Sequence, residues 1–510
     1  VLSILLEKYY ISSINHMLSS KTKKNKHLLN GLIPVAVVAA VTSLEQAGFE
    51  AYLVGGCIRD ILMGTAPKDW DVCTSATPEQ IQQVFPESFY ENNFGTVGVK
   101  TELGVIEVTP YRVEGSYSDG RRPDSVKFSL NIQDDLSRRD FTINAIAYSP
   151  EKDIFIDPFD GTKDIKNQII RAVGVAEDRF NEDGLRIMRM LRFVAQLQFG
   201  IDPETLAAAV KTRNMLAKIS KERIRDEFTK LVLSDNPAGA FVYAEKTDIL
   251  EYITPYLKDA VHVEQNGCHA YDVFEHLVRS LQCAADKKYS LDLRLAALFH
   301  DIGKPPTRLW SKENKDYTFY GHEVVGAKLT KKILNDLKFS HETVEKVTKL
   351  VRWHMFFSDT DQITHSAVRR MIANVGKENI WDLINLRICD RVGTGRPKED
   401  PYRLRKYMSM IEEVLADPTD VSMLKINGND LINSLEIAPG PIIGKILHIL
   451  LDICLETPAL NTKETLLDKT RELLTLPANE LKELYIKALH TKQEENESKI
   501  NQIKRTYKVS

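Results

Sequence analysis

Two carboxylates flank a tryptophan in the run Asp69-Trp70-Asp71, just past the glycine-rich stretch AYLVGGCIRDILMG. In a strand, residues i and i+2 share a face, so this spacing sets Asp69 and Asp71 side by side. Like charges held that close repel, and a shared proton or a bound cation relieves them. Carboxylate oxygens are hard ligands suited to Mg²⁺, which commonly coordinates substrate phosphates as well. A glycine turn ahead of a helix exposes backbone N–H groups on which phosphates can lie. Together the two features point to metal-assisted phosphoryl or nucleotidyl transfer. Each alone has a plainer meaning, an exposed acidic turn or an ordinary tight turn.

A second chemistry-bearing segment is EDGLRIMRMLRF. Asp183 and Arg186 stand three apart in a helical pattern, close enough for a simple salt bridge. Alternatively, both face a base edge. Cytosine and adenine each present an exocyclic amine beside a ring-nitrogen acceptor. A carboxylate accepts from the amine and a guanidinium donates to the ring nitrogen. Guanine and uracil place carbonyl oxygens where the amine would be, so one Asp–Arg pair can favour C and A.

These segments belong to an ordered series. After DWDVCT come GVIEVTPYR, EGSYSDGRRPDSVKF, LSRRDFTINAIA, FIDPFDG, EDGLRIMRMLRF and ISKERIRDEFTKLVLSDNP, spanning about residues 52–236. The series resembles the class II tRNA nucleotidyltransferase and poly(A) polymerase family, most closely its bacterial CCA-adding members. The resemblance implies catalytic Mg²⁺ on Asp69 and Asp71, with Glu107 as a third acidic residue. It implies phosphate contacts at Gly56 and Arg59 and a nucleotide contact at Arg139. It assigns base reading to Asp183 and Arg186 and adds Arg189 and Arg192 as nucleotide contacts. Glu107 as a solvent-facing strand residue, Arg59 as a surface ion pair and Arg192 as neck packing are the structural alternatives. The loop EGSYSDGRRPDSVKF resembles the flexible loop of CCA- and A-adding enzymes, which CC-only relatives lack. The implied partners are tRNA, CTP and ATP; the alternatives are an A-adding or poly(A) polymerase.

Further along stand His276 (FEHL), His300 and Asp301 (ALFHDIGKP), His322 (FYGHE), His354 (VRWHM) and Asp390 (ICDRVGTG). A histidine and an aspartate together at the end of an apolar stretch are expensive to bury unpaired. Mixed imidazole and carboxylate ligands suit Mn, Ni or Fe better than Ca²⁺. The series resembles the HD phosphohydrolase domain, which is fused to the nucleotidyltransferase head in many bacterial CCA-adding enzymes. It implies a transition-metal site formed by these six residues. Such a site either hydrolyses cyclic phosphates or nucleotides, even as the principal activity, or survives as a scaffold for RNA.

The elements that must position these groups read as an α+β chain. We expect a 1–31 extension, disordered or upstream of a start at Met17, and a small mixed α/β nucleotidyltransferase head over 32–165. A mainly helical neck over 166–255 would bind nucleotide and RNA. An HD-type helical domain follows over 256–400, then a helical tRNA-binding region over 401–510 with a charged tail. Pro34 to Phe49 has helical apolar spacing, with Pro at its start and Gly48 near its end. Alternation and glycine turns from Tyr90 to Arg112 predict hairpin strands.

Composition bounds the partners. The 510 residues carry a net charge of −3, so RNA contact must come from a local basic surface. Six scattered cysteines without CxxC spacing fit a reducing cytoplasm and argue against a zinc ribbon. No apolar run is long enough to span a bilayer. Oligomeric state is not legible.

Overall fold

The computed structural model describes residue 29 and residues 32–490, except 91–94, 116–124, 266–269, 357–362 and 396–398. The expected extension (Leu29 aside), the centre of the EGSYSDGRRPDSVKF loop and the charged tail fall outside the described residues. The chain divides into two units, one ending at Ile253 and the next beginning at Thr254.

Nine strands of the first unit position the head. They are β1 (Ala51–Val54), β2 (Asp71–Thr74), β3 (Ser88–Tyr90), β4 (Val97–Thr101), β5 (Gly104–Pro110), β6 (Arg112–Glu114), β7 (Val126–Phe128), β8 (Ala147–Ser149) and β9 (Ile154–Ile156). Seven of them form one sheet in the order β3-β4-β5-β2-β1-β8-β9, and β6 pairs with β7 apart from it. The β2–β5 pair is parallel and every other neighbouring pair in the sheet is antiparallel. All four residues of β1 are buried, as a central strand covered on both faces requires. The expected hairpin strands are β3 to β5, and the expected first helix runs Val35–Gln46 with Pro34 as its N-cap.

Helices then dominate. Leu185–Leu197 buries Leu185, Ile187, Met188, Met190, Leu191, Phe193 and Val194 against its neighbours. Helices Lys221–Val232 and Pro237–Lys246 pack on it. The second unit holds helices Val273–Asp286, Leu291–Phe299, His322–Asp336, His341–Trp353 and Ile380–Gly393. Asp272, Ser290 and Ser340 cap three of these by accepting backbone N–H bonds, fixing where each begins. A later group of helices, including Pro441–Glu456 and Lys463–Leu474, shares a Leu/Ile core around Leu431, Ile446, Leu450 and Leu466.

Candidate nucleotide and metal sites

The glycine turn lies directly over Asp71. Gly55 has φ 82°, the left-handed region that glycine enters without steric cost, and the helix Gly56–Leu62 starts after it. A Cβ on Gly55 would sit 3.1 Å from Arg139 Nη1 and 3.5 Å from Asp71 Oδ2. Backbone, carboxylate and guanidinium therefore converge. Burial raises the Asp71 carboxyl above its ordinary range; Arg139 pulls it down and Asp69 adds to the rise. A cation beside these two carboxylates would relieve both the burial and the repulsion.

The strand expectation needs one correction. β2 begins at Asp71, and Asp69 lies outside it, exposed in the preceding bend. Trp70 also precedes the ladder, so of the two carboxylates only Asp71 is held in the sheet. Glu107 stands opposite Asp71 in the parallel register of β5 and β2, and it is exposed. It thus sits one strand away on the same face.

Behind Asp71 runs a polar network. Arg139 donates to Asp135 Oδ2 from Nε (3.3 Å) and Nη2 (2.9 Å), while Arg138 donates to Asp135 Oδ1. Arg59 Nη1 donates to Asn144 Oδ1 at 2.7 Å, and Asn144 Nδ2 to Asp140 Oδ1 at 3.2 Å. Arg189 Nε donates to Asp140 Oδ2 at 2.7 Å. Burial works against the ionised Asp140, but the Arg189 guanidinium overrides it and holds the carboxyl at about 2. Arg59, Arg189 and Arg192 gather around the Phe193 ring at 5.3, 5.8 and 4.4 Å. Burial and then repulsion from Arg189 push Arg192 down to about 10. Its Nε lies 3.2 Å from Glu227 Oε2, the ion pair of the neck-packing alternative. Each guanidinium also faces a carboxylate: Arg59 meets Asp60 Oδ1 at 2.7 Å, the ion pair of its structural alternative, while Arg189 meets Asp140 and Arg192 meets Glu227.

Asp183 and Arg186 are not three apart on one helix. Asp183 is the extended residue (φ −141°, ψ 103°) between helices Ala176–Glu182 and Leu185–Leu197. Gly184 breaks the pattern there, and a Cβ on it would meet Met215 at 2.9 Å. Asp183 Oδ1 accepts from Leu185 N at 3.0 Å, and Arg223 donates to both carboxylate oxygens. Arg186 is nearly buried and donates to Glu182 Oε2, to Arg179 O (2.9 Å) and to Arg138 O (3.0 Å). The simple Asp183–Arg186 salt bridge is replaced by two separate pairings.

In the second unit all six expected ligand residues come together. His276, His300, Asp301 and Asp390 form one group, and Asp301, His322 and His354 another, with ligand atoms in each group within 4.8 Å of one another. All six are buried. Asp301 serves both groups, with Oδ2 3.1 Å from His276 Nε2 and Oδ1 3.1 Å from His322 Nε2 and 3.4 Å from His354 Nε2. His300, His322 and His354 each place Nδ1 on a backbone carbonyl, of Ala297, Phe319 and Val351. A carbonyl only accepts, so Nδ1 carries the proton in each ring and Nε2 is the atom turned to the site; His300 Nε2 lies 2.9 Å from His276 Nε2. His322 and His354 Nε2 are buried with no hydrogen-bond partner and face the Asp301 carboxylate. Lone pairs facing a carboxylate repel it, and a metal ion or a proton between them relieves that. Burial disfavours a charged His300, but Asp301 and Asp390 drive it up to about 10; burial takes His354 down to about 4. The residues fit a metal. Among the described residues, these are the groups of three or more potential ligands that converge, and the head carboxylates do not form a third.

Sequence reasoning missed Arg223, Glu182, Asp135, Lys304 and Arg387 as partners. Lys304 Nζ lies 2.6 Å from Asp301 Oδ2, and Arg387 Nη1 donates to Asp390 Oδ2 at 2.6 Å. Four of them stand within four residues of their partners, a spacing that could have flagged them. Arg223 lies 40 residues from Asp183, beyond any local signal.

Comparison with known proteins finds relatives along most of the chain. The Poly A polymerase head domain matches residues 51–171, a probable RNA and SrmB-binding site of polymerase A matches 198–261, and the HD domain matches 273–392. The CCA-adding enzyme of Lactiplantibacillus plantarum is 32% identical over 436 residues, 84% of this chain and 94% of that protein. The CCA-adding enzyme of Lactobacillus delbrueckii is 49% identical over 199 residues, 39% of this chain and half the length of that relative. The Bacillus stearothermophilus CCA-adding enzyme in complex with CTP superposes with a TM-score of 0.66 at 27% identity, covering 86% of this chain and 97% of that one. No helix among the described residues is long and apolar enough to cross a membrane.

Proposed function

This chain belongs to the CCA-adding enzymes, and from that premise we propose that it builds the CCA end of tRNA without a nucleic-acid template. It joins CMP, CMP and AMP from CTP and ATP to the tRNA 3′ end and releases pyrophosphate. The observation that carries this reading is the turn at Gly55, whose backbone lies against both Asp71 and Arg139. The start of a helix, a carboxylate and a guanidinium then meet at one place, as a triphosphate and a 3′-hydroxyl demand.

Asp69 and Asp71 would hold Mg²⁺, with Glu107 beside them. The ion supplies Lewis-acid activation of the ribose hydroxyl and charge relief on the leaving pyrophosphate. Gly56 offers its backbone to phosphate. Arg59, Arg139, Arg189 and Arg192 hold the nucleotide, with Asn144 and Asp140 fixing the directions of Arg59 and Arg189. Asp183 and Arg186 read the base edge, the carboxylate accepting from the amine of C or A and the guanidinium donating to its ring nitrogen. The cytoplasm, where tRNA and nucleotides abound, is the matching compartment. The test is extension of a tRNA ending at the discriminator base, with each NTP alone and then CTP plus ATP. Two Cs with CTP, and a stop after CCA with both, support the proposal. Addition of A only to CC-ended tRNA makes it an A-adding enzyme, and long A tails a poly(A) polymerase.

A specific observation favours a second activity in the same chain. The buried Nε2 atoms of His322 and His354 opposite Asp301 point to a Mn, Ni or Fe centre completed by His276, His300 and Asp390. Such a centre suits phosphoester hydrolysis, with Lys304 and Arg387 orienting the carboxylates. Phosphate release that needs His300 but not Asp71 would support it. No release with any of the three metals leaves the centre a scaffold.

A further inference from the structure

Asp183 and Arg186 carry opposite charges in neighbouring positions, yet each is bound to a different partner. Arg223, on helix Lys221–Val232, reaches Asp183 with Nη2 on Oδ2 at 2.7 Å and Nη1 on Oδ1 at 3.3 Å. Leu185 N–H takes a further position on Oδ1. A guanidinium that meets both oxygens fixes the plane of a carboxylate, which a single N–H cannot do. The open side of Oδ2 then keeps one direction.

Arg186 is treated in the same way. Nη1 donates to Glu182 Oε2 and Arg179 O, and Nη2 to Arg138 O. Three of five N–H groups are used, and the Nε–H with one Nη2–H is left for another acceptor. If Arg223 were absent, Asp183 would keep one local N–H, and the nearest cation in sequence would be Arg186. The pair would then satisfy each other and spend the donor and acceptor that a base must meet.

We infer that Arg223 and Glu182 are positioning residues for nucleotide choice, keeping Asp183 and Arg186 from neutralising each other so that both face the base. The inference rests on the base-reading role proposed above for Asp183 and Arg186. It requires no change at the Gly55 turn or Asp71, so triphosphate and tRNA binding are separate from it.

The experiment compares full-length wild type, Arg223→Ala and Arg223→Lys by kcat/KM for CTP against UTP on tRNA ending at the discriminator base. The ratio falls about tenfold or more in Arg223→Ala, because the carboxylate that rejects a carbonyl is no longer aimed. It falls less in Arg223→Lys, which keeps the charge but cannot bridge both oxygens. The KM for tRNA stays unchanged. A CTP/UTP ratio at the wild-type value, or an equal loss for all four nucleotides, overturns the inference. Asp183→Ala, run alongside, separates the two layers. If it keeps full discrimination, base reading fails and takes this inference with it. If it loses discrimination while both Arg223 variants retain theirs, the positioning role alone fails.

Discussion

Asp71 is a half-hidden carboxylate that Arg139 and a glycine turn surround, and its substitution is the sharpest test of the head. Asp71→Ala should leave the melting temperature near wild type and bring nucleotide incorporation below detection; substantial transfer by the folded variant would sink the metal assignment. Asp183→Ala should keep transfer but lose the preference for CTP over UTP, measured at single-nucleotide resolution. Asp140 yields a pH prediction. Its carboxyl sits at about 2 against an ordinary 3.8, so its ionised form stabilises the fold. That contribution, roughly 2 kcal/mol, is complete above about pH 4 and is lost as pH falls through 2. Asp140→Asn should therefore cost stability at pH 6, with the gap to wild type closing between pH 4 and 2.5. A gap in urea midpoint that stays constant over that range would contradict the account.

At the scale of elements, two tight turns carry the sites. Gly55→Ala would force a side chain into a left-handed conformation at about 1–2 kcal/mol and set its Cβ against Arg139. We expect a modestly lower melting temperature and a larger fall in kcat/KM for CTP, and equal losses in both would argue against the turn as a nucleotide cradle. At Gly303 a Cβ would lie 2.1 Å from His322 O, so the segment after Asp301 can approach the His322 helix only as glycine. The glycine turn and helix, the hairpin strands β3 to β5, the long neck helix and all six HD positions were legible in the sequence. Local pattern specifies the turn, strands and helix, whereas the six HD positions came from the resemblance of their ordered series to the HD domain. What escaped is non-local. The break at Gly184 goes with packing against the distant Met215, and the Arg223–Asp183 pair joins helix Lys221–Val232 to the link between two others. Helical periodicity runs through EDGLRIMRM, and only the close approach of Met215 to Gly184 shows why the helix restarts there.

At the scale of the whole molecule, the proposed metals of the two units can be tested apart. Mn²⁺ or Ni²⁺ at a hundred times its dissociation constant should stabilise the second unit by about 2.7 kcal/mol, visible as a higher calorimetric transition. The double variant His322→Ala/His354→Ala should abolish that shift and the bound transition metal in elemental analysis. CTP incorporation should stay intact, because these residues lie outside the head. Retention of the shift in the double variant would place the metal elsewhere. The sheet order has one more consequence, for the order of synthesis. β1 lies between β2 and β8, and Gly55 N donates to Ile146 O at 3.3 Å. A nascent chain that has emitted Asp69, Asp71, Glu107 and Arg139 still lacks the strand that pins the glycine turn. Until β8 arrives, β1 keeps an open edge on which any other strand can dock. A fragment cut just before Ile146 would hold every head carboxylate proposed to bind metal, and would more readily join its own copies than a nucleotide.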